Sequence, residues 1–334
     1  MGVISRGRSL WFESLRTAAL REENVAAPGP DQITVRALHS LVSAGSEMHL
    51  FRGEGNLPPS ALPPDAGTLP FPVKFGYQVV GKVEAAGEQS GFAVGDLVFA
   101  IHPHQDRFTI SVALAIKLSP DVDPLRALFL NMCTVAVQTN LEAPVRVGEC
   151  VAVSGLGIIG SLIAHFTRKS AGRLILVDPN PARRAASSWI GADTVVDPAG
   201  AADAIKTLSD GRGVDMFIET SGAQAALQAA INNTGDRGSV VVPAWYGSRP
   251  VSLSLSPEFH LRALTLKSVF VMSMGGNEAA RWTQARRVET ALSVLKEIDP
   301  QNLTSCHVQF KNAPDAYRMI DEGKVGAPAV ILDY

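Results

Sequence analysis

The chain has 334 residues, of which 46% are hydrophobic and 19% are charged, with a formal net charge of -2. This length suits two domains of ordinary size, and the balanced charge argues against a nucleic-acid partner. The longest apolar run, 127–137, is far shorter than the roughly 20 residues that span a bilayer, and the N-terminus lacks a signal-peptide core, so we predict a cytoplasmic protein without a membrane partner.

The first part of the chain is predicted to form short strands separated by turns, at 32–39, 78–85, 97–101 and 107–112. Between residues 56 and 72, repeated prolines and glycines exclude both a helix and a central strand. We interpret that segment as a surface loop that could act as a lid. This part of the chain is therefore predicted to be mostly β.

From about residue 148 the pattern changes to buried strands alternating with helices. Such alternation predicts a parallel sheet built from right-handed crossovers. The predicted strands are 150–154, 174–177, 193–196, 216–219, 239–243 and 266–271, and helices are predicted at 158–170 and 181–190. After them, a long amphipathic helix at 279–298 precedes a strand, a short helix and a final strand, a tail expected to fold back onto the first domain.

A glycine-rich turn, Gly155-Leu156-Gly157-Ile158-Ile159-Gly160, follows the buried strand 150–154 and opens a helix. In this context the pattern is typical of a dinucleotide-binding turn. Gly155 permits the tight turn, Gly157 lets the backbone approach a pyrophosphate, and Gly160 lets the helix pack on the strand. The amides at the start of the helix would bind the anion. The sequence thus predicts a nicotinamide dinucleotide cofactor.

The acidic residue at the end of the next strand, Asp178, is expected to accept hydrogen bonds from the adenosine ribose hydroxyls. Its carboxylate would repel a 2′-phosphate, which favours NAD over NADP. Arg183 and Arg184 lie a few residues further on and could accommodate a 2′-phosphate instead, so NADP stays possible.

Several short motifs together resemble the medium-chain dehydrogenase/reductase superfamily, which contains zinc alcohol dehydrogenases and zinc-free quinone and enoyl reductases. The resemblance covers nearly the whole chain. The motifs are Ala44–Glu47 with His49, Gly76–Gln78 with Gly81 and Gly87, Val94–Asp96 with Val98, Gly191–Asp193, and Gly213–Asp215 with Glu219–Gly222. Residues 43–47 and 330–334 also resemble the zinc-free branch that contains bacteriochlorophyllide-type hydroxyethyl dehydrogenases.

The resemblance implies an α/β protein with a mostly-β, GroES-like catalytic domain and a Rossmann domain with a doubly wound parallel sheet. The catalytic domain would comprise residues 1–131 and 273–334, and the Rossmann domain 132–272. It further implies a homodimer or homotetramer that acts on a small-molecule substrate.

At the positions of the three catalytic zinc ligands of the zinc-dependent members, this chain has Ala44, Tyr77 and Leu130. A catalytic zinc needs three protein ligands supplied by thiolate, imidazole or carboxylate groups. The cysteine-rich structural zinc lobe also has no counterpart, since residues 101–111 contain no cysteine. The sequence predicts that both zinc ions are absent.

Without a zinc ion, another group must manage the proton of the reaction. Ser46 and His49 match the hydroxyl and histidine of the superfamily's proton relay, which implies alcohol or carbonyl chemistry. Tyr77 could donate a hydrogen bond to a carbonyl, act as the acid/base if its pKa were lowered, or merely fill the former metal site. Glu47 is interpreted as ordering Tyr77 or an arginine, and Gln78 as bonding to backbone.

The resemblance implies further contacts with the cofactor and the substrate. Thr134 would lie beside the nicotinamide, with Ser221 and Pro243 nearby; Pro243 cannot donate a hydrogen bond, so only a carbonyl contact is open to it. Ile101 and His102 would border the substrate pocket, although an ordinary polar loop is an equal alternative for His102. A metal held by His102 and His104 lacks a third ligand.

Three functions follow as hypotheses. The first is a zinc-independent NAD(P)-dependent oxidoreductase that interconverts a secondary alcohol and a ketone, with Ser46, His49 and Tyr77 handling the proton. The second is an NAD(P)H-dependent reductase of enones or quinones, and the third is a cofactor-binding protein without turnover. The substrate itself cannot be inferred, because loops form its pocket.

Overall fold

The computed structural model describes residues 3–58, 61–62, 65–271, 279–326 and 329–334. It divides the chain into two compact units, the first comprising Met1–Leu130, Thr304–Val325 and Ala329–Tyr334, and the second Asn131–Leu303 and Gly326–Pro328. The chain passes from the first unit to the second after Leu130, which is next to the predicted domain boundary at 131/132. The predicted boundary at 272/273 lies outside the described residues.

The chain starts in the first unit, continues through the second and returns to the first. The first unit begins with β1 (Val3–Ser14), β2 (Thr17–Ala26), β3 (Gln32–Val42), α1 (Ser46–Phe51), β4 (Val79–Ala86), β5 (Leu97–Ala100), β6 (Arg107–Ser111), β7 (Ala115–Lys117) and α2 (Pro124–Ala127). Then follow α3 (Leu130–Glu142), β8 (Cys150–Ser154), α4 (Ile158–Arg168), β9 (Arg173–Val177), α5 (Pro181–Ala186), β10 (Thr194–Val196), α6 (Ala201–Leu208), β11 (Val214–Glu219), α7 (Gln224–Asn233), β12 (Thr234–Val242), α8 (Glu258–Leu261), β13 (Thr265–Ser268) and α9 (Gln284–Leu295). The last elements, back in the first unit, are β14 (Cys306–Gln309), α10 (Ala313–Asp321) and β15 (Val330–Asp333).

A mostly antiparallel sheet forms the centre of the first unit, in the order β14-β15-β3-β4-β5-β7, with β6 also paired to β3. Its apolar interior is built from alternate residues of these strands, among them Val35, Val79, Val98 and Phe108. This alternation buries one face of each strand. The C-terminal strand β15 pairs with β3, so both ends of the chain contribute to this unit, as expected.

The second unit contains a parallel sheet in the order β10-β9-β8-β11-β12-β13. All five residues of β8 are buried, because a central parallel strand is covered by helices on both faces. The strand order reverses between β8 and β11, and ligands of doubly wound sheets bind outside the carboxyl ends of the strands at such a point. The predicted α/β class and doubly wound sheet are confirmed.

The sequence pattern missed a long hairpin formed by β1 and β2, in which Ser14 pairs with Thr17. Its two-residue turn places Arg16 at a φ of 55°, a left-handed conformation usually marked in a sequence by glycine or asparagine. Neither residue type occurs in this turn. The hairpin therefore carries no recognisable turn signal.

Helix α9 lies in the second unit, whereas the sequence ranges assign it to the catalytic domain. It begins at Gln284 rather than at 279, because the Thr283 hydroxyl accepts a hydrogen bond from the Arg286 amide and caps the helix. The Arg287 guanidinium donates to the Gln138 side chain of α3 at 2.9 Å. Packing against α3 thus fixes the place of α9.

Within the residues that the structure describes, no helix has both the length and the apolar character needed to cross a bilayer.

Candidate functional site

The predicted glycine turn connects β8 to α4 at the point where the strand order reverses. Gly155 has a φ of +88°, and a Cβ atom there would lie 2.7 Å from the Ser221 amide nitrogen. A Cβ atom at Gly160 would lie 1.8 Å from the Gly155 carbonyl oxygen. These two glycines are therefore required by the fold itself.

Gly157 differs from its neighbours, because among the described residues a Cβ atom at this position would meet nothing within 4 Å. These residues do not require a glycine here, but a ligand that approaches the backbone closely would. Gly157 is also the N-cap of α4, and none of the described side chains caps this end. The first-turn amides, which lack intrahelical partners, can therefore bind an anion. Leu156, Ile158 and Ile159 complete this turn, so the geometry fits a dinucleotide pyrophosphate.

Asp178 follows β9 beside the glycine turn and is only 1% exposed. One carboxylate oxygen accepts a hydrogen bond from the Leu156 amide at 2.6 Å, and the other accepts one from the Asn180 amide at 2.7 Å. Arg183 Nη1 lies 3.9 Å from the first oxygen, and the buried Arg183 Nε has no hydrogen-bond partner within the part of the chain that the structure describes. Asp178 thus braces the glycine turn, a role that the sequence did not suggest.

Another buried carboxylate, Glu219, organises the backbone that follows β11. It accepts hydrogen bonds from the Ser221 amide at 2.7 Å, from the Ser221 hydroxyl, and from the Tyr246 hydroxyl at 2.6 Å. Burial and this carboxylate raise the pKa of Tyr246 well above its ordinary value. Of the other predicted nicotinamide contacts, Thr134 is buried in α3 and Pro243 follows the end of β12. No sequence motif pointed to Tyr246.

In the first unit, three hydroxyl groups form a closed triangle of hydrogen bonds. Ser46 Oγ lies 2.7 Å from the Tyr77 hydroxyl, which donates to Ser43 Oγ at 2.8 Å, and the two serine oxygens are 3.0 Å apart. Ser43 follows β3, Ser46 opens α1, and Tyr77 precedes β4. We call this set the hydroxyl triangle. The sequence predicted two of its members and missed Ser43.

The donor directions within the hydroxyl triangle follow from its geometry. Tyr77 gives its single proton to Ser43, so the bond between Ser46 and Tyr77 must be donated by Ser46. Ser43 then donates to Ser46, so that all three hydrogen bonds are donated in the same direction around the triangle. Ser43 is buried, whereas Ser46 and Tyr77 are half-buried, so these two can turn a proton toward a substrate.

The pKa of Tyr77 is raised to about 12, first by burial and then by the negative charge of Glu47. The hydroxyl therefore stays protonated at neutral pH. The alternative in which a lowered pKa makes Tyr77 the acid/base is wrong in direction. A neutral tyrosine that donates a hydrogen bond agrees with this pKa.

The remaining predicted residues of the first unit have different surroundings. His49, also on α1, has its Nδ1 3.2 Å from Glu54 Oε2. His102 is buried and stacks on Phe108 with the ring centroids 3.8 Å apart, and burial lowers its pKa to about 4. It therefore packs as a neutral core side chain, whereas Ile101 beside it is 37% exposed.

The hydrogen-bond partners of Glu47 and Gln78 differ from those predicted from the sequence. Glu47 is 0% exposed and accepts hydrogen bonds from the Ser43 amide and from His104 rather than from Tyr77 or an arginine. Gln78 is also fully buried, and neither its amide nitrogen nor its amide oxygen has a hydrogen-bond partner among the described residues, so its side chain bonds to no backbone group within them. The described residues contain no group of three histidines, cysteines or acidic residues that could hold a metal ion.

Comparisons with known proteins agree with this organisation. A sequence profile of the zinc-binding dehydrogenase family matches residues 155–289. D-guloside 3-dehydrogenase of Shigella flexneri is 27% identical over 323 residues, which cover 90% of this chain and 92% of that protein. L-threonine 3-dehydrogenase of Pyrococcus horikoshii is 25% identical, and the match covers 94% of this chain and 95% of that protein.

Among solved structures, a presumed zinc-binding dehydrogenase of Sinorhizobium meliloti bound to NADP superimposes with a TM-score of 0.79. The match covers 99% of this chain and 100% of that protein at 20% identity. Such a likeness establishes the fold over nearly the whole chain. The GroES-like and Rossmann organisation implied by the sequence motifs is confirmed.

A matched pair of glycine substitutions tests the cofactor turn. We expect Gly157→Ala to fold with an unchanged melting temperature but to bind NAD(H) at least about tenfold more weakly, because the methyl group occupies the ligand's approach. We expect Gly160→Ala to lose about 1–3 kcal/mol of stability through overpacking. Calorimetry of binding and thermal unfolding measure the two effects. Unchanged NAD(H) affinity in Gly157→Ala would contradict the assignment.

The unpartnered amide of Gln78 yields a prediction about stability. Leucine at this position removes a buried polar group without a hydrogen bond, so Gln78→Leu should raise the free energy of unfolding by about 1 kcal/mol. Gln105 provides a matched control, since it is also buried but donates to the Arg107 carbonyl at 2.8 Å. Gln105→Leu should therefore destabilise the protein in denaturant titrations. A loss of stability in Gln78→Leu as well would show that its amide has a partner.

Proposed function

We propose that the chain is a member of the medium-chain dehydrogenase/reductase superfamily, an NAD(P)-dependent oxidoreductase that interconverts a secondary alcohol and a ketone without a catalytic zinc. The observation that carries this proposal is the hydroxyl triangle of Ser43, Ser46 and Tyr77, which offers neutral proton donors where zinc-dependent members hold their metal. The relatives named above are dehydrogenases, which supports the reaction class.

The donor set at the expected metal position does not fit a zinc ion. Ala44 and Leu130 carry no metal-binding atom, and Tyr77 offers only a phenol oxygen, which is hydrogen-bonded to Ser43 and Ser46. Zinc sites of this kind require thiolate, imidazole or carboxylate ligands. These side chains support a zinc-independent enzyme, although the matched family profile is named for zinc binding.

The cofactor, when bound, supplies or accepts the hydride. The glycine turn and the start of α4 would hold its pyrophosphate, and Asp178 and Arg183 would lie at its adenosine ribose. Because the Asp178 carboxylate opposes a 2′-phosphate, we keep NAD as the preferred cofactor. Thr134, Ser221 and Pro243 remain proposed contacts of the nicotinamide.

The protein's own residues would control the substrate oxygen. Ser46 or Tyr77 turns its proton outward to hydrogen-bond the carbonyl, while Ser43 keeps donating to Ser46. In ketone reduction this hydrogen bond stabilises the negative charge that develops on the oxygen, and in alcohol oxidation it stabilises the alkoxide as the alcohol loses its proton. His49 is the proposed route of the proton to solvent. The homo-oligomer, the cytoplasmic location, and Ile101 and His102 as pocket residues also stay proposals.

Substitutions of the hydroxyl triangle test the proposed chemistry. Tyr77→Phe and Ser46→Ala should each lower kcat by about a hundredfold or more with little change in KM, because a positioned proton donor is lost. Secondary alcohols with NAD, and ketones and enones with NADH, provide the assays. Exposed Ser252 is the control, and Ser252→Ala should leave kcat unchanged. Turnover of enones alone would favour the C=C reductase, and tight NAD(H) binding without turnover would favour a binding protein.

Metal removal tests zinc independence directly. Prolonged dialysis against a chelator should leave activity unchanged, and elemental analysis of the active enzyme should find far less than one zinc per chain. The physical reason is that no thiolate, imidazole or carboxylate stands at the three ligand positions. Activity that disappears with the chelator and returns with added zinc would refute this part of the proposal.

A further inference from the structure

A chain of buried hydrogen bonds lies next to the hydroxyl triangle in the first unit. The Tyr334 hydroxyl is 2.8 Å from Ser40 Oγ, and this oxygen is 2.7 Å from His104 Nδ1. His104 Nε2 is 2.9 Å from Glu47 Oε2, which also accepts a hydrogen bond from the Tyr317 hydroxyl. Ser40, Glu47, His104 and Tyr317 are all fully buried.

The protons next to Glu47 are fixed by its chemistry. A carboxylate only accepts, so His104 Nε2 and the Tyr317 hydroxyl must both donate to Glu47. His104 Nδ1 is hydrogen-bonded to the Ser40 hydroxyl, which is hydrogen-bonded in turn to Tyr334. Among the described residues no lysine or arginine pairs with Glu47, and its buried charge is compensated by the hydrogen bonds from His104, Tyr317 and the Ser43 amide.

The other oxygen of the same carboxylate reaches the hydroxyl triangle. Glu47 Oε1 accepts a hydrogen bond from the Ser43 amide at 2.8 Å, and the Ser43 hydroxyl is the corner to which Tyr77 donates. Glu47 also follows Ser46 directly in α1. Glu47 is therefore linked to two of the three members, to Ser43 by a hydrogen bond and to Ser46 through the main chain.

We propose that Glu47, held in place by His104 and Tyr317, is a positioning residue that fixes Ser43 and thereby sets the single donor direction of the hydroxyl triangle. This inference rests on the proposed function. Its consequence is a division of labour: Ser46 and Tyr77 contact the substrate, and Glu47 acts only through them. A role limited to holding the fold together would leave kcat unchanged in a Glu47 variant that folds.

The charge of Glu47 has a second consequence, for the ionisation of Tyr77. This charge adds to burial in raising the pKa of Tyr77, so Tyr77 stays a donor. For a group with a raised pKa, the protonated form stabilises the folded state below the unfolded pKa near 10, and this stabilisation is lost as the pH rises through about 12. Removal of the charge should move the Tyr77 titration back toward 10.

Two variants of Glu47 separate its charge from its position. In Glu47→Gln, the phenolate absorbance of Tyr77 should appear roughly one pH unit lower than in the unchanged protein, and kcat should fall about tenfold or more with little change in KM. Glu47→Asp keeps the charge but shortens the reach, so the titration should stay high while kcat still falls. Since the chain has only four tyrosines, comparison with the matching Tyr77→Phe variants isolates the signal of Tyr77.

Glu22→Gln serves as the matched control, because Glu22 is exposed and pairs only with Arg6 among the described residues. It should change neither readout. A folded Glu47→Gln with an unchanged Tyr77 titration would overturn the inference. A Glu47→Asp variant with full kcat would also overturn it. If Glu47→Gln does not fold, the kcat of Glu47→Asp provides the test. The titration needs no turnover, so a protein that oxidises no alcohol would refute the proposed function and still leave this inference testable.

Discussion

A buried carboxylate connects three separate segments of the first unit. Within the described residues, no lysine or arginine neutralises it. Glu47 accepts hydrogen bonds from the Ser43 amide, from His104 and from Tyr317. These donors come from the end of β3, from the segment between β5 and β6, and from α10 near the C-terminus. Because an isolated buried charge is costly, all three donors must be in place at once. The carboxylate therefore couples the return of the chain to the geometry of the hydroxyl triangle.

The second unit uses the same device where its cofactor turn is built. Asp178 accepts from the Leu156 amide, and Glu219 accepts from the Ser221 amide. Both carboxylates stand at the carboxyl ends of parallel strands, where the backbone changes direction and leaves amides without partners. Each fixes a loop by satisfying those amides. The buried carboxylates at the proposed site thus hold the backbone of its loops in place by accepting hydrogen bonds from the loop amides.

The surroundings of Glu47 continue this use of acidic side chains. Within the described residues, the buried carboxylate is balanced by oriented dipoles rather than by a lysine or arginine. His104 and Tyr317 supply such dipoles, and the phenol of Tyr77 stays neutral under the influence of the carboxylate. A triangle of neutral hydroxyls is compatible with a neighbouring carboxylate, whereas a phenolate would be repelled by it.

The sequence by itself determined the fold class, the glycine-rich turn and the residue types at positions 44, 77 and 130, because each is a local property of the chain. Gly155 and Gly160 are needed by a tight turn and a close helix, and alanine or leucine cannot bind a metal wherever it lies. The tertiary structure alone decided that Ser43, His104 and Tyr317 meet around Glu47, that Arg16 turns a hairpin, and that α9 packs on α3. The contacts around Glu47 and between α9 and α3 join residues far apart in the chain, and the hairpin turn depends on a left-handed backbone that its residue types do not predict. No spacing or periodicity in the sequence could therefore have shown them.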